Sequence, residues 1–485
     1  MTVFVGFAFV LIVVRNLTPE DFGTWSLLTT MLGHFLIADR VISFWTTRQI
    51  ARNEQVGKTS VMSSLLFAFG LMPIYLALVF FVASQSNASL EPLILGSLLL
   101  IVFFLSRTIS SINLGHKPHV DSYGLLVLEL AKIPTALFFV YVLGFDINGV
   151  ILSVLISYVV KIAVQYYYAR PKLQNSLSFS VLRRWLKISW INLYASMGPA
   201  LRHSDVLIYS VITGSVVGIA YHAAALMVVK IIHHSEAISK PLYPKLLGEG
   251  SQQIPQTIAL QMYFAIPLLG IVLVFSKPAM HALNPIYDEV AIITIVLAFQ
   301  MFFAEIRGIY KKILQGIDTV DIAKKPRFSS LLKSKIFYTH TMNNVRMGLQ
   351  LVALGSVFYF MAHSGYSEID IVFWWVLVVL IFEIPFTVNL AVRVRKYVTF
   401  QFPKTRIIKY LLSTVAFMGI FYLVSDHLIG YQNSIYEFLP GVIATFLICV
   451  GVYLSMTFVL DKKIRILFKT IINEITHNKQ FRTRL

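Results

Sequence analysis

The chain has 485 residues, 57% hydrophobic and 13% charged, with a mean hydropathy of +0.74. Soluble domains carry about a quarter charged residues, so this composition excludes that class. The formal net charge of +18 does not indicate nucleic acid, because the basic residues sit in short connections beside apolar runs and no separate basic domain exists.

Apolar segments recur at approximately 1–14, 22–47, 58–83, 90–112, 120–143, 147–168, 186–212, 215–246, 254–276, 287–313, 341–363, 368–392, 406–429 and 435–460. All but the first are long enough to cross a hydrocarbon core of about 30 Å as a helix. The expected fold class is therefore an all-α integral membrane protein with about 14 transmembrane helices. The first segment is short for a bilayer, so it is expected either to pack short or to continue a helix begun upstream. Met1 leads into apolar residues with no basic region before them, so a cleaved signal peptide is not expected.

Basic residues fall on every second connection. One set carries Arg48, Arg52 and Lys58; Arg107 and Lys117; Arg170, Lys172, Arg183, Arg184 and Lys187; Lys240 and Lys245; Arg307 to Lys335; Arg393 to Lys409; and the tail from Lys462. The other set offers Arg15 and Lys277. About 33 basic residues against about 2 place the even-numbered connections and both termini in the cytoplasm by the positive-inside rule. Two glycosylation-type triplets, Asn16-Leu-Thr18 and Asn87-Ala-Ser89, fall on the expected outer side. The basic loop at about 314–340, which contains Pro326, reads as a solvated cytoplasmic linker.

Charges inside membrane spans are costly and mark candidate sites. Asp39 and Arg40 lie in the second span, Glu129 and Lys132 in the fifth, Arg202 and Asp205 in the seventh, and Lys230 in the eighth. Glu129/Lys132 and Arg202/Asp205 are three residues apart, so each pair is also placed to neutralise itself on one helix face. Lys161 is expected to snorkel to the interface. Ser189, Asn192, Ser196 and Pro199, followed by Arg202 and His203, form a polar stripe on the seventh span; it either faces a cavity or glues helices, and Pro199 is placed to bend it. Glu305 and Glu383 are lone carboxylates, candidates for carrying protons or Na⁺ and equally for structural hydrogen bonding.

Other chemistries find little support. Cys449 is the only cysteine and lies in an apolar run, which leaves no disulfide framework and no thiol–metal cluster. The adjacent His233 and His234 diverge around a helix, so no metal site is expected. Gly57-Lys58-Thr59 lacks the earlier glycine and strand of a phosphate loop, so no nucleotide cofactor is expected and ATP-driven transport would need another subunit.

Asp21-Phe-Gly-Thr-Trp25 opens the second span and Val217-Gly-Ile-Ala-Tyr221 the eighth, a Gly and an aromatic after an outer turn, six spans apart. Repeated halves are usual in secondary transporters. Asn16-Leu-Thr-Pro-Glu-Asp-Phe-Gly23 resembles the turn after the first helix in the polysaccharide exporters and O-antigen-type flippases of the multidrug/oligosaccharidyl-lipid/polysaccharide exporter superfamily. Asp205-Val-Leu-Ile208, Gly214, Val217-Gly-Ile219, Tyr221 and Ala223-Ala224 resemble that family's seventh-to-eighth helix signature. Pro241-Leu-Tyr-Pro244-Lys-Leu246 resembles the end of its eighth helix, Asn284-Pro-Ile-Tyr287 the turn before its tenth, and Leu460-Asp-Lys-Lys-Ile-Arg465 its exit from the last. The short first helix and the long 314–340 loop depart from the family.

The resemblance implies two six-helix lobes around a central cavity: an N-lobe over 1–168 and a C-lobe over 186–397, joined by a cytoplasmic linker at 169–185. Helices 13 and 14 at 398–460 and a basic cytoplasmic tail at 461–485 complete the chain. It further implies alternating access in the cell membrane, with membrane lipid and a polyprenyl phosphate- or diphosphate-linked saccharide as partners and glycan-assembly enzymes as candidate partners. Such a headgroup needs cations, so Arg40, Lys132, Arg202 and Lys230 are the expected substrate-binding residues. Asp39, Glu129, Asp205, Glu305 and Glu383 are the expected supporting or coupling residues, with no cofactor beyond a coupling H⁺ or Na⁺. The competing readings are a drug or metabolite antiporter on the same fold, which should favour acids in its cavity, and a membrane glycosyltransferase or polymerase. The latter would draw on Glu20, Asp21, Asp146, Glu368 and Asp370 in the short outer loops.

Overall fold

The computed structural model describes residues 9, 11–240, 242, 246, 251–318, 332–470 and 473. The start of the first span, most of the Pro241–Leu246 signature, the centre of the 314–340 loop with Pro326, and most of the basic tail lie outside the described residues. So do the side chains of Asn192 and Pro199.

The described residues form helices and no strand, with eleven helices long and apolar enough to span a membrane and a twelfth if one bent pair counts as a span. In hydrocarbon every backbone N–H and C=O must be satisfied within the protein, which leaves an apolar chain helices as its spanning form. The pair is α1 (Pro19–Phe35) and α2 (Arg40–Ala51), bent by 59°. There follow α3 (Gly57–Gln85), α4 (Leu90–His116), α5 (His119–Ala136), which runs on into a π-helical turn at Leu137–Val142, and α6 (Asp146–Ala169).

The seventh segment differs from expectation. It is three shorter helices, α7 (Phe179–Ile188), α8 (Trp190–Arg202) and α9 (Ser204–Thr213), with breaks at Ser189 and His203. α7 is amphipathic: Trp185 is buried and donates through Nε1 to Gln49 Oε1 at 3.1 Å, while Arg183, Arg184 and Lys187 are exposed. The eighth segment also changes form. α10 (Val217–Val229) passes into a 3₁₀ stretch, Lys230–Ser239, so Lys230 sits at a junction and not mid-helix. The rest comprises α11 (Ile254–Leu283), α12 (Ala291–Gly316), α13 (Lys335–His363), α14 (Glu368–Tyr397), α15 (Lys404–Leu428) and α16 (Ile435–Leu460).

The chain divides into two compact units: Met1–Ala224 with His340–Val378, and Ala225–Thr339 with Val379–Leu485. In the second unit α15 and α16 pack with α11 around a core that includes Met262, Ile266, Tyr410, Phe417 and Tyr453, and the Tyr453 hydroxyl donates to the Tyr263 carbonyl at 2.6 Å.

Several of the recognisable turns have a local physical cause. Thr18 caps α1: its Oγ1 accepts from Asp21 N at 3.2 Å and its hydroxyl donates to Asp21 Oδ2 at 2.9 Å, with Pro19 and two acids in the first turn. Asn284 Oδ1 accepts from Ile286 N at 3.2 Å and starts the 3₁₀ turn Pro285–Val290. Asn87 Oδ1 accepts from Val216 N at 3.0 Å, and the Asn16 amide donates to Ile12 O at 2.7 Å, so both glycosylation-type asparagines are engaged with backbone.

The two repeated glycines allow close approach. A Cβ on Gly23 would run into the Val216 carbonyl, and one on Gly218 into the Tyr209 hydroxyl. Overpacking of a backbone contact costs about 1–3 kcal/mol. Gly23→Ala is therefore expected to lower the thermal unfolding midpoint in detergent, whereas Gly33→Ala, with no atom within 4 Å of the added carbon, is expected not to.

Candidate functional site

In the first unit, Asp39, Arg40, Arg202 and Asp205 lie beside helix breaks, and Glu129 and Lys132 lie within α5. Asp39 closes the break between α1 and α2, and Arg40 begins α2. Three side-chain bonds tie this bent span to the broken seventh one. His34 Nε2 meets Ser204 Oγ at 3.1 Å, Arg40 Nη1 donates to Ser196 Oγ at 2.9 Å, and Trp45 Nε1 donates to Ser189 Oγ at 3.0 Å. The order 34, 40, 45 against 204, 196, 189 is that of two antiparallel segments. Ser189 and Ser196 are buried, so these two members of the polar stripe glue helices and do not line an open cavity.

Arg40 and Arg202 are both solvent-exposed. Lys132 is bonded to Glu129 at 3.0 Å and lies over the Phe9 ring at 5.5 Å, so its charge is balanced on its own helix. Asp205 is buried, and its carboxylate accepts from Val206 N at 2.9 Å and from Trp375 Nε1 at 3.0 Å. That bond seats Trp375 in an aromatic cluster, stacked on His222 at 4.1 Å and on Tyr209 at 5.1 Å, while the Tyr209 hydroxyl donates to Glu368. Asp205 is thus the anchor of a packed corner.

Lys230 belongs to the second unit, is exposed, and makes no hydrogen bond or ion pair among the described residues. Both lone carboxylates of that unit are buried and partnered. Glu305 bonds His233 Nδ1 at 2.7 Å and Gln261 Nε2 at 3.4 Å, and His233 Nε2 reaches Glu236 at 3.3 Å, which in turn holds Lys312 at 2.8 Å. Glu383 is fully buried against Arg307 Nε. Removing one partner of a buried ion pair strands the other charge and costs about 3–5 kcal/mol, whereas replacing both with apolar groups is close to neutral. Glu383→Gln is therefore expected to lower the unfolding midpoint sharply, and the double replacement Glu383→Leu with Arg307→Met to restore most of it.

Three charged residues were misplaced or missed by the sequence reading. Arg107, assigned to a cytoplasmic flank, lies nine residues before the end of α4, about 13.5 Å along the helix. It lines a cavity of about 430 Å³ in the first unit with Asp39, Asp121 and Lys161. Lys161, expected to snorkel, is 7% exposed and points into that cavity over the Tyr158 ring at 5.6 Å. The available signal was a four-residue polar step along α6, Ser153, Ser157, Lys161 and Gln165, all buried. Arg346, alone in the apolar stretch of α13, is 2% exposed.

Outside the spans, Asp461 secures the exit from α16. Its Oδ2 accepts from Arg406 Nε at 2.8 Å and Tyr410 OH at 2.7 Å, and its Oδ1 from Lys463 N at 2.9 Å. Burial favours its neutral form, but the bonds from Tyr410 and Arg406 more than offset this and hold its carboxyl below the usual range. A carboxyl with a depressed folded pKa stabilises fully above its unfolded value, about 3.9, and loses that contribution as pH falls through the folded one. The stability difference between wild type and Asp461→Asn is therefore expected to be constant from about pH 8 to pH 5 and to begin to shrink only near about pH 4, falling away as pH drops through the depressed folded value, read as the shift between their unfolding midpoints.

Comparison with solved structures places this architecture. A multidrug resistance MATE family transporter of the MOP superfamily, solved in an inward-facing conformation, matches with a TM-score of 0.63 over 82% of this chain and 95% of its own, at 15% identity. The lipid II flippase MurJ, in an inward closed conformation, matches with a TM-score of 0.56 over 94% of this chain and 98% of its own, at 14% identity. The fold is that of the MOP-superfamily transporters. It makes the chain a multi-pass membrane protein of the expected all-α class. No family model and no curated protein matches the sequence.

Proposed function

We propose that this protein is a flippase that moves a lipid-linked oligosaccharide or polysaccharide precursor across the cell membrane by alternating access, with basic connections and both termini in the cytoplasm. The observation that carries the reading is Arg40. It stands exposed at the break between two helices that together are long and apolar enough for one span, and makes one side-chain hydrogen bond among the described residues, to Ser196. A guanidinium has five N–H donors and a fork that fits phosphate oxygens, so most of its donors remain for a substrate. Arg202 is a second exposed cation of the same unit. These two are the proposed phosphate ligands; Lys132, balanced by Glu129, and Lys230, on the second unit, are the further cations of the proposal. The chain Glu305–His233–Glu236 is the proposed route for a coupling proton or cation. Support for a lipid-linked substrate comes from the likeness to the lipid II flippase, which extends over 94% of this chain.

A drug or metabolite antiporter is the second reading, favoured by the higher TM-score of the MATE transporter, 0.63. The two differ in what they move. Depleting the protein in its native cell and extracting polyprenyl-linked saccharides is expected to reveal a completed lipid-linked glycan held in the inner leaflet; unchanged lipid intermediates point to the antiporter. Losing a charged hydrogen bond costs about 1.5–3 kcal/mol, so Arg40→Gln and Arg202→Gln are each expected to slow lipid-linked glycan translocation in proteoliposomes at least about tenfold while leaving folding intact. Normal translocation by all four variants, Arg40→Gln, Lys132→Gln, Arg202→Gln and Lys230→Gln, overturns the proposal.

A further inference from the structure

The cavity of the first unit has a lining chemistry that the phosphate ligands do not use. Its volume of about 430 Å³ falls at the lower end of the ~300–1,000 Å³ of small-molecule sites, the scale of a single ring and not of an oligosaccharide. Three polar helix stripes meet there. α4 supplies Ser106, Arg107 and Ser110, α6 supplies Lys161, and the break before α2 supplies Asp39, with Ser43 one turn on.

Its polar groups are only partly satisfied. The Ser43 hydroxyl donates to Asp39 Oδ2 at 2.7 Å, but Asp39 Oδ1, in a residue 2% exposed, has no hydrogen-bond partner. The Ser106 hydroxyl, in a residue 1% exposed, has none either. The Lys161 ammonium makes no hydrogen bond or ion pair among the described residues, and Arg107 makes one long bond, 3.4 Å to the Leu36 carbonyl. Asp121 is already engaged, accepting from Gln165 at 3.2 Å. Because Arg107 is exposed while Lys161 and Asp39 are buried, the cations stand at two depths.

What remains open is therefore a set of cationic donors beside a carboxylate oxygen that needs a donor and a serine that takes either role. A bare phosphate answers only the cations, since it brings no hydroxyl to Asp39. A neutral sugar answers only Asp39 and Ser106. A sugar ring bearing a carboxylate answers all of them, with its anion on Lys161 and Arg107 and a ring hydroxyl donating to Asp39 Oδ1. We propose that this cavity, with Asp39, Ser106, Arg107 and Lys161 in its lining, is a recognition site for an acidic sugar unit of the uronate type. The proposal takes its source of ligand, a glycan, from the flippase reading; the chemistry of the site stands on the cavity alone.

The test is saturation-transfer NMR titration of the full chain in lipid nanodiscs with sodium glucuronate, glucose and inorganic phosphate. Glucuronate is expected to bind at least about tenfold more tightly than either of the others, as expected where a charged and a neutral hydrogen-bonding group are both required. This comparison uses the wild-type protein and needs no variant to fold. Lys161→Gln is expected to reduce glucuronate affinity to that of glucose, Lys161→Arg to retain it within a fewfold, and Ser106→Ala to weaken it modestly. Equal affinity for glucose and glucuronate overturns the proposal, as does glucuronate binding that Lys161→Gln and Arg107→Gln leave unchanged. Tighter binding of phosphate overturns it in favour of a lipid phosphate. Glucuronate binding that depends on Lys161, alongside absent lipid-linked glycan translocation, leaves the site standing and sinks the flippase reading; translocation that depends on Arg40 without selective glucuronate binding does the reverse.

Discussion

A backbone group left unpaired in hydrocarbon costs several kcal/mol, and that cost governs where this chain leaves its helices and what it must supply when it does. The break at residues 36–39 interrupts the ladder of a candidate span, and those at Ser189 and His203 divide the segment packed beside it, so neighbouring side chains must hold the interrupted pieces in place. They do so mutually. His34, Arg40 and Trp45 of one broken span bond Ser204, Ser196 and Ser189 of the other. The same break brings Asp39 to the cavity and leaves Arg40 exposed, so the charge distribution of the first unit follows from where its helices stop.

The two units treat their membrane charges differently. In the second, Glu305 and Glu383 are buried with His233 and Arg307 against them. In the first, Arg40, Arg107, Arg202 and Lys161 lie at or near a cavity or a helix break, while Lys132 is paired with Glu129. A buried cation such as Lys161, which makes no ion pair among the described residues, costs energy that a bound anion would offset, whereas a closed pair gains little from one.

Depth along a span was readable from sequence, and it found Asp39, Arg40, Asp205, Glu305 and Glu383. Partnership was not. The bond from Trp375 to Asp205 crosses 170 positions and that from Arg307 to Glu383 crosses 76, distances over which a single sequence offers no pairing signal. Lys161 was read as snorkelling because a lysine near a span end usually does so, yet the serines at four-residue steps below it already described a buried polar face. Arg107 was drawn into a basic connection by its proximity to Lys117, although α4 continues for nine residues beyond it. Arg346, alone in an apolar stretch and buried, carries the same signal of depth. The helix breaks were the least visible feature, since Pro199 advertised a bend and the chain breaks on either side of it, at Ser189 and His203, where hydroxyls and an imidazole can take up the loosened backbone.

Gly23 gives the first unit a mechanical property beyond its stability. Its bare Cα faces the Val216 carbonyl, and Asn87 clamps the same turn through the Val216 N–H and the Gly214 carbonyl. Gly23 supplies a close approach and Asn87 the hydrogen bonds, so three chain segments meet at this turn. The turn between Thr213 and Val217 is therefore held from two sides, by the bare Cα of Gly23 and by Asn87 from the turn before α4, so that a side chain at position 23 and the loss of the Asn87 amide would disturb one and the same point.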